Sequence, residues 1–311
     1  MPNKPSISAV INVHNESDSL SKCLKSLAGF ADELIVVDMQ STDQSVSIAS
    51  RHGAKVYPHR FLPYVEPARN FGLSKATGKW IILLDPDEYL GKTLKEELKR
   101  VTFRNDIDFV KISRKNYIFG KWMRHSNTWP DYLIRFFRKG SVVWKKEIHS
   151  QPETKGTGLT LLDSEKLAIK HLNYQSINHF ILRALRYSQI QADELMASKY
   201  ALKTSDLLLK PVQEFNSRFF AGQGFKDGLH GLIFSLLQAM AIGLIYVNLW
   251  EKQGFTDKPL PKDSFVSASQ EAVYEYSFWF TKYFSAEYSR NIFKRILLKI
   301  RLFFDRFTKN F

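Results

Sequence analysis

The chain has 311 residues, of which 45 are Lys or Arg and 31 are Asp or Glu, so its formal charge is +14 and an anionic partner is expected. Its composition, 44% hydrophobic and 24% charged, is that of a globular protein and excludes a disordered or fibrous chain. The single cysteine, Cys23, excludes an internal disulfide and a thiol-bound structural zinc, and the first residues lack the apolar segment of a signal peptide, so we expect a cytosolic chain.

Strand and helix patterns alternate over the first hundred residues. Apolar and β-branched runs predict four strands, at Ile7–Val13, Leu34–Val37, Ala54–Tyr57 and Trp80–Leu84. Helical spacing predicts three helices between them, at Ser17–Leu27, at Ser41–Ser50 with Ser41 and Thr42 as candidate N-caps, and at Pro67–Ala76. The alternation is typical of an α/β fold with a mostly parallel sheet, in which ligands bind beyond the carboxyl ends of the strands.

Polar or acidic residues follow three of these strands. They are His14, Asn15 and Glu16 after the first strand, Asp38 after the second, and Asp85, Pro86, Asp87 and Glu88 after the fourth. The first of these loops contains no glycine, which disfavours a dinucleotide-binding turn or a P-loop. Carboxylates two residues apart after a buried strand, as in Asp85 and Asp87, can hold a divalent cation that bridges a diphosphate, although such a pair in isolation is more often a solvated turn.

These motifs resemble, in order and spacing, the family 2 glycosyltransferases of the GT-A fold. The matching segments are Val13 to Glu16, Leu34 to Asp38 with Ser41 to Asp43, Ala68 to Asn70, Gly78 to Trp80, and Asp85 to Glu88. Further segments are similar to the subgroup that includes the lipopolysaccharide inner-core β-glucosyltransferases: Trp129 to Asp131, Arg135 to Gly140, Ile148-His149, Gly224 to Gly228 and Asn248 to Glu251. The resemblance implies a Rossmann-like GT-A domain with a mostly parallel central sheet over residues 1–174, and a helical extension over residues 175–311.

The resemblance also implies which residues bind the nucleotide sugar. Val13, Glu16 and Asp38 are expected to hold its base and ribose, because carboxylates accept hydrogen bonds from ribose hydroxyls or a base N–H. Arg69 and Arg135 are expected to contact the diphosphate, since a guanidinium can clamp phosphate oxygens with two bonds. Ordinary ion pairs are the alternative for both arginines.

Metal binding and proton transfer are assigned in the same way. Asp87 is implied as the principal ligand of a divalent metal ion, Mg²⁺ or Mn²⁺, while Asp85 approaches the ribose or the metal and His149 completes the metal shell. Asp131 is the candidate base, because an inverting transfer requires a group that deprotonates the attacking acceptor hydroxyl. A turn residue or an acceptor-binding group remains the alternative for Asp131, and a structural histidine for His149.

The positive charge is concentrated in two segments. Residues 99–150 carry 13 basic and 4 acidic side chains, and residues 276–311 carry 8 and 2. The first segment contains Asp131 and is expected to face the diphosphate and a phosphorylated acceptor. The second combines basic residues with many aromatic ones, which predicts a basic amphipathic helix on an anionic membrane, or a helix docked on the catalytic domain. Nucleic acid is disfavoured as a partner, because no reading motif accompanies the charge.

A further segment, residues 228–250, contains no Asp, Glu, Lys or Arg. It is long enough to span a bilayer, but it also fits a buried or interfacial helix. We therefore expect a protein that is cytoplasmic and peripheral on the inner face of the cytoplasmic membrane.

Together these patterns predict an inverting, metal-dependent glycosyltransferase that moves a hexose from a nucleotide diphosphate sugar to a glycolipid or lipopolysaccharide-core acceptor. A polyprenyl-phosphate glycosyltransferase is one alternative, although such enzymes often carry two clear membrane spans and this chain has one candidate at most. A nucleotidyltransferase is a further alternative, but this sequence lacks the glycine- and Arg/Lys-rich N-terminal phosphate loop of that class. A non-catalytic membrane- or nucleic-acid-binding module on a GT-A scaffold is disfavoured by the intact Asp85 and Asp87 pair.

Overall fold

The computed structural model describes residues 6–62, 65–145, 152–256 and 259–288. It divides the chain into two compact units. The first comprises Met1–Trp122 and Trp129–Asn173, and the second comprises Met123–Thr128 and Tyr174–Phe311. The short segment Met123–Thr128 groups with the C-terminal helices.

The first unit is built on a ten-stranded sheet with helices along it. Its strands are β1 (Ile7–Val13), β2 (Glu33–Asp38), β3 (Lys55–Pro58), β4 (Trp80–Leu84), β5 (Glu88–Tyr89), β6 (Phe109–Ile118), β7 (Lys121–Trp122), β8 (Asp131–Arg138), β11 (Gly158–Thr160) and β12 (Ile169–Tyr174), while β9 (Val142–Val143) and β10 (Glu153–Thr154) form a separate pair. Its helices are α1 (Ser17–Leu27), α2 (Ser45–Arg51), α3 (Glu66–Lys75) and α4 (Lys92–Val101), with a short 3-10 turn at Glu165–Leu167.

The strand order of the main path is β3-β2-β1-β4-β8-β6-β12-β5. The strands from β3 to β4 are parallel, whereas β8 runs antiparallel to both β4 and β6. The predicted α/β alternation is confirmed over this parallel half. Because β1, β2 and β4 all run the same way, their carboxyl ends, and the acidic loops that follow them, meet at one edge.

Burial on both faces explains the apolar strands. Every residue of β1 and β4 is buried, as expected for parallel strands that helices cover on both sides. On one face, Leu24 of α1 and Leu94 of α4 join the core that contains Ile11. On the other face α3 lies very close to the sheet, since a Cβ on Gly72 would come within 2.7 Å of the Val10 side chain.

One local prediction is wrong. Ser41 and Thr42 do not begin a helix, because α2 starts at Ser45. Both residues instead bond to the loop after β1: the Ser41 hydroxyl accepts from the Asn15 N–H at 3.0 Å, and the Thr42 N–H donates to Asn15 Oδ1 at 2.7 Å. Hydrogen bonds between two loops therefore replace the local helix cap, which sequence spacing alone does not show.

The second unit is helical. Its helices are α5 (Ile177–Ala197), α6 (Thr204–Asn216), α7 (Leu229–Lys252) and α8 (Lys262–Tyr288), with a π-helical turn at Ser217–Ala221 and a 3-10 turn at Gly224–Asp227. Helix α7 approaches this 3-10 turn so closely that a Cβ on Gly231 would lie 1.8 Å from the Gly224 carbonyl oxygen. Close packing of backbone against backbone thus explains a glycine within an otherwise apolar helix.

Two of the membrane predictions fall in this unit. Helix α7 contains residues 229–250 of the uncharged run and is, among the described residues, one helix whose length and hydropathy would allow it to cross a bilayer. Buried helices of soluble proteins satisfy the same criterion. Of the predicted amphipathic segment 276–311, residues 276–288 belong to α8, and residues 289–311 lie outside the described part of the chain.

Candidate active site

The loops after β1 and β2 bring the predicted nucleotide-binding residues together. Val13 and Asp38 lie directly opposite each other in the parallel β1–β2 pair. The Asp38 side chain is 9% exposed, and its Oδ1 accepts from the Ser41 N–H at 3.2 Å. Glu16 follows at the start of α1, where its N–H donates to the Ser45 hydroxyl at 2.9 Å. The two loops therefore form one hydrogen-bonded surface at the carboxyl edge of the sheet.

Asp85, at the end of β4, is compensated by two arginines. Its Oδ1 accepts from Arg69 Nη2 at 3.1 Å, and its Oδ2 accepts from Arg135 Nη2. Burial alone would raise the pKa of the Asp85 carboxyl, but the guanidinium groups of Arg135, Arg69 and Arg114 hold this pKa well below its usual value. Asp85 is therefore ionised over the whole physiological pH range.

The same contacts place the two arginines that were predicted to bind phosphate. Arg135 is 2% exposed and donates to Glu88 Oε1 at 2.8 Å as well as to Asp85. This arrangement is the ion-pair alternative rather than an open phosphate clamp. The Arg69 side chain is 13% exposed, and its guanidinium carbon lies 5.6 Å from the Trp144 ring centroid. Phosphate contact by either arginine stays a prediction, with Arg69 the more accessible of the two.

Glu88 organises the turn that carries the two aspartates. The residue is fully buried, and its Oε2 accepts from the Asp85 N–H at 2.9 Å. Its other oxygen faces two guanidinium groups, those of Arg135 at 2.8 Å and Arg114 at 3.4 Å. A buried carboxylate is stable only with such partners. Glu88 therefore links the turn to β8 and β6, a role that its place in the motif did not reveal.

Asp131, the candidate base, is the first residue of β8 and lies opposite Arg114 on β6. Its Oδ2 accepts from Arg114 Nε at 2.8 Å and from Asn116 Nδ2 at 3.1 Å. No donor among the described residues bonds to its Oδ1, and the side chain is 27% exposed. One carboxylate oxygen is thus fixed in place while the other remains able to accept a proton from a substrate.

Asp87 contacts a histidine that the sequence patterns did not single out. Nε2 of His171 lies 3.2 Å from Asp87 Oδ2, and His171 Nδ1 lies 2.6 Å from Asn116 Oδ1. His171 belongs to β12, which pairs with the short strand β5 so that His171 is opposite Glu88. This pairing joins residues that are far apart in sequence, and no local motif predicts it. The predicted third metal ligand, His149, lies outside the described residues.

The separation of Asp87 from His171 fits two ligands of one cation. Asp87 Oδ2 and His171 Nε2 are 3.2 Å apart, so a carboxylate oxygen and an imidazole nitrogen would both be within reach of one ion. Among the described residues, no group of three or more His, Cys, Asp or Glu side chains is arranged to hold a metal. The protein thus offers two donors, as is common where substrate phosphates and water complete the shell of Mg²⁺.

Relatives that match most of the chain are named glycosyltransferases. Residues 8–156 match the family described as Glycosyl transferase family 2. The chain is 28% identical over 261 residues to an uncharacterised glycosyltransferase of Rickettsia conorii, covering 79% of this chain and 90% of that protein. It is 24% identical over 267 residues to the lipopolysaccharide core biosynthesis glycosyltransferase LpsC of Rhizobium meliloti, covering 83% of this chain and 97% of that protein.

Two solved structures are similar over different lengths. A fragment of TarS from S. aureus has a TM-score of 0.42 at 15% identity, covering 82% of this chain and 93% of that fragment. The glucosyl-3-phosphoglycerate synthase of Mycobacterium tuberculosis, solved with Mn²⁺, uridine diphosphate and glucosyl-3-phosphoglycerate, has a TM-score of 0.31 at 22% identity. That match covers 36% of this chain and 44% of the synthase, so the chain spans less than half of its length.

The matched family region, residues 8–156, contains the parallel strands, the acidic loops and the Asp131 strand described above. The relatives extend this likeness over most of the chain. The likeness to glycosyltransferase family 2 is therefore carried by residues 8–156, the part of the chain that contains Asp38, Asp87 and Asp131.

Proposed function

We propose that this protein is an inverting, metal-dependent glycosyltransferase that transfers a hexose from a nucleotide diphosphate sugar to a glycolipid or lipopolysaccharide-core acceptor. The observation that carries the proposal is the asymmetry of the Asp131 carboxylate, with Oδ2 held by Arg114 and Asn116 and Oδ1 available. A base in an inverting transfer needs this combination of fixed orientation and one open oxygen. The acceptor class is supported by the similarity to LpsC.

In this proposal each part of the site has one role. The surface formed by Val13, Glu16 and Asp38 binds the nucleoside, while Asp131 Oδ1 takes the proton of the acceptor hydroxyl as it attacks the anomeric carbon. Asp87 and His171 would hold a divalent cation, and Asp85 remains charge-compensated by Arg69 and Arg135. The bound cation would stabilise the leaving nucleoside diphosphate as a Lewis acid.

Donor binding can be tested without knowing the acceptor. A panel of nucleotide sugars is added to the protein with Mn²⁺ or Mg²⁺, and the unfolding temperature is measured, because a ligand that binds only the folded state raises it. We expect stabilisation by one donor that requires the cation and is weakened in Asp87→Asn. Asp106→Asn, on the exposed loop before β6, is the matched control and should respond like the wild type. No response to any donor would contradict the proposal.

Membrane association of the second unit is part of the same proposal. Leu229, Leu236, Met240 and Val247 of α7 are exposed, and their spacing of seven, four and seven residues places them on one face of the helix. A continuous apolar face of this kind is typical of a surface that contacts lipid or protein. The basic residues of segment 276–311 favour an anionic lipid surface, on the cytoplasmic face of the membrane.

Vesicle sedimentation tests the membrane contact. We expect the full chain to sediment with vesicles that contain anionic lipid, and to do so less at high salt because the attraction is partly electrostatic. Removal of residues 289–311 should weaken sedimentation strongly. A truncated chain that sediments like the full chain would show that the basic segment does not bind the membrane.

A further inference from the structure

Asn116 connects the two halves of the catalytic site. It lies on β6, is 4% exposed, and contacts Asp131 with one end of its amide and His171 with the other. Its Nδ2 is 3.1 Å from Asp131 Oδ2, and its Oδ1 is 2.6 Å from His171 Nδ1. A chain of three contacts thereby runs from the candidate base through Asn116 and His171 to Asp87, on the cation-binding side.

The chemistry of these partners fixes which way the amide points. An ionised carboxylate only accepts hydrogen bonds, so the amide nitrogen of Asn116 must face Asp131. The amide oxygen then faces His171 and can only accept, which places a proton on His171 Nδ1. His171 Nε2 faces Asp87 Oδ2, so it either carries a proton that it donates to this carboxylate or, without that proton, offers its lone pair to a cation. Rotation of the amide by half a turn would instead bring two oxygens together at Asp131.

We propose that Asn116 is a positioning residue that orients the base and the cation-binding pair together. Through Nδ2 it helps to hold the Asp131 carboxylate, and through Oδ1 it selects the imidazole form of His171 that can bind a cation through Nε2. Metal-binding histidines commonly donate their other ring N–H to such an acceptor. This inference rests on the proposed function, and it adds a residue that contacts neither substrate nor cation itself.

Two substitutions separate the two hydrogen bonds. Asn116→Leu keeps the branching of the side chain and removes both bonds. Asn116→Asp keeps an acceptor for His171 but places a carboxylate where Asp131 needs a donor. Ser113→Ala on the same strand is the matched control, because Ser113 is also fully buried and its hydroxyl has no hydrogen-bond partner among the described residues. Mn²⁺ binding in the presence of a nucleoside diphosphate is measured by electron paramagnetic resonance, and kcat and donor KM are measured separately.

We expect Asn116→Leu to bind Mn²⁺ roughly 10- to 100-fold more weakly than the wild type, the usual cost of losing an outer-shell partner, and to lose kcat as well. In Asn116→Asp, Mn²⁺ binding should be no weaker than in the wild type, while kcat falls at least about tenfold with little change in donor KM. Ser113→Ala should behave as the wild type in both measurements.

Wild-type Mn²⁺ affinity in Asn116→Leu, or wild-type kcat in Asn116→Asp, would overturn the inference. If Asn116→Leu does not fold, Asn116→Asp decides the matter alone, because its acceptor and volume are close to those of asparagine. Failure of the proposed function has a different signature. The wild type itself would then bind no Mn²⁺ with any nucleoside diphosphate, and the inference about Asn116 would be withdrawn with it.

Discussion

Replacement of Arg135 by methionine tests whether this residue holds the site together or binds the donor. Arg135 is 2% exposed and pairs with Asp85 and with Glu88, which is fully buried. Methionine keeps much of the side-chain volume but leaves Glu88 with the more distant Arg114 guanidinium, at 3.4 Å. Loss of one partner from a buried ion pair costs about 3–5 kcal/mol of unfolding free energy.

The expected change is large enough to measure by heat or urea. Because about 1 kcal/mol corresponds to about 2–4 °C in a domain of this size, the midpoint of the first unit should fall by about 6–20 °C. Circular dichroism and tryptophan fluorescence report the transition. The double variant with Glu88→Gln should lose less stability than the sum of the single variants, since both changes remove the same interaction.

An exposed pair provides the control for this prediction. Arg100 bonds to Glu97 on the surface of α4 and its side chain is 76% exposed, so Arg100→Met should cost less than about 1 kcal/mol. If Arg135→Met unfolds like the wild type but requires much more donor for half-maximal rate, Arg135 binds phosphate, and the reasoning from the buried network is wrong.

Three further predictions concern stability and donor binding. Burial alone would raise the pKa of Glu33, but hydrogen bonds from Ser8 and Thr77 lower it from 4.5 to about 2. The contribution of Glu33 to the free energy of unfolding is therefore complete above pH 4.5 and is lost as the pH falls toward 2. Glu33→Gln should remove that part of the measured pH dependence of unfolding. Gly231→Ala should lower the free energy of unfolding by about 1–3 kcal/mol in urea titrations, because the new methyl group would lie against a backbone carbonyl oxygen, and wild-type stability would contradict this packing. Glycine at position 15 can adopt the left-handed backbone of Asn15, at φ 55°, but it loses the side-chain bonds between the loops after β1 and β2. In Asn15→Gly the donor KM should therefore rise while kcat changes little. An unchanged KM would show that these bonds do not shape the nucleotide site.

Local patterns were sufficient for the parallel half of the fold. β1, α1 and β4 have the bounds that periodicity predicts, because each is a continuous apolar or amphipathic segment between turn residues. The acidic residues after these strands could also be placed at one edge, since parallel strands end on the same side. The strands could be predicted to be parallel because strands and helices alternate along the chain.

Residues on the antiparallel half could not be found in this way. Arg114 and Asn116 reach Asp131 only because β6 pairs with β8 in one register, and His171 reaches Asp87 only because β12 pairs with the two-residue strand β5. Nothing in the sequence near His171 specifies such a register. The ion pairs of Arg135 with Asp85 and Glu88 depend on the same antiparallel pairing, so its motif alone did not reveal them.

The proton-transfer role proposed for Asp131 is tested most directly by Asp131→Asn. The donor that stabilises the wild type most is supplied with purified lipopolysaccharide core oligosaccharide, and release of nucleoside diphosphate is followed together with donor-induced thermal stabilisation. Asparagine keeps the shape of the side chain but cannot accept the acceptor proton as a base. We predict that transfer falls by at least about 100-fold while stabilisation by the donor is retained. An Asp131→Asn enzyme that transfers sugar at the wild-type rate would contradict the assignment.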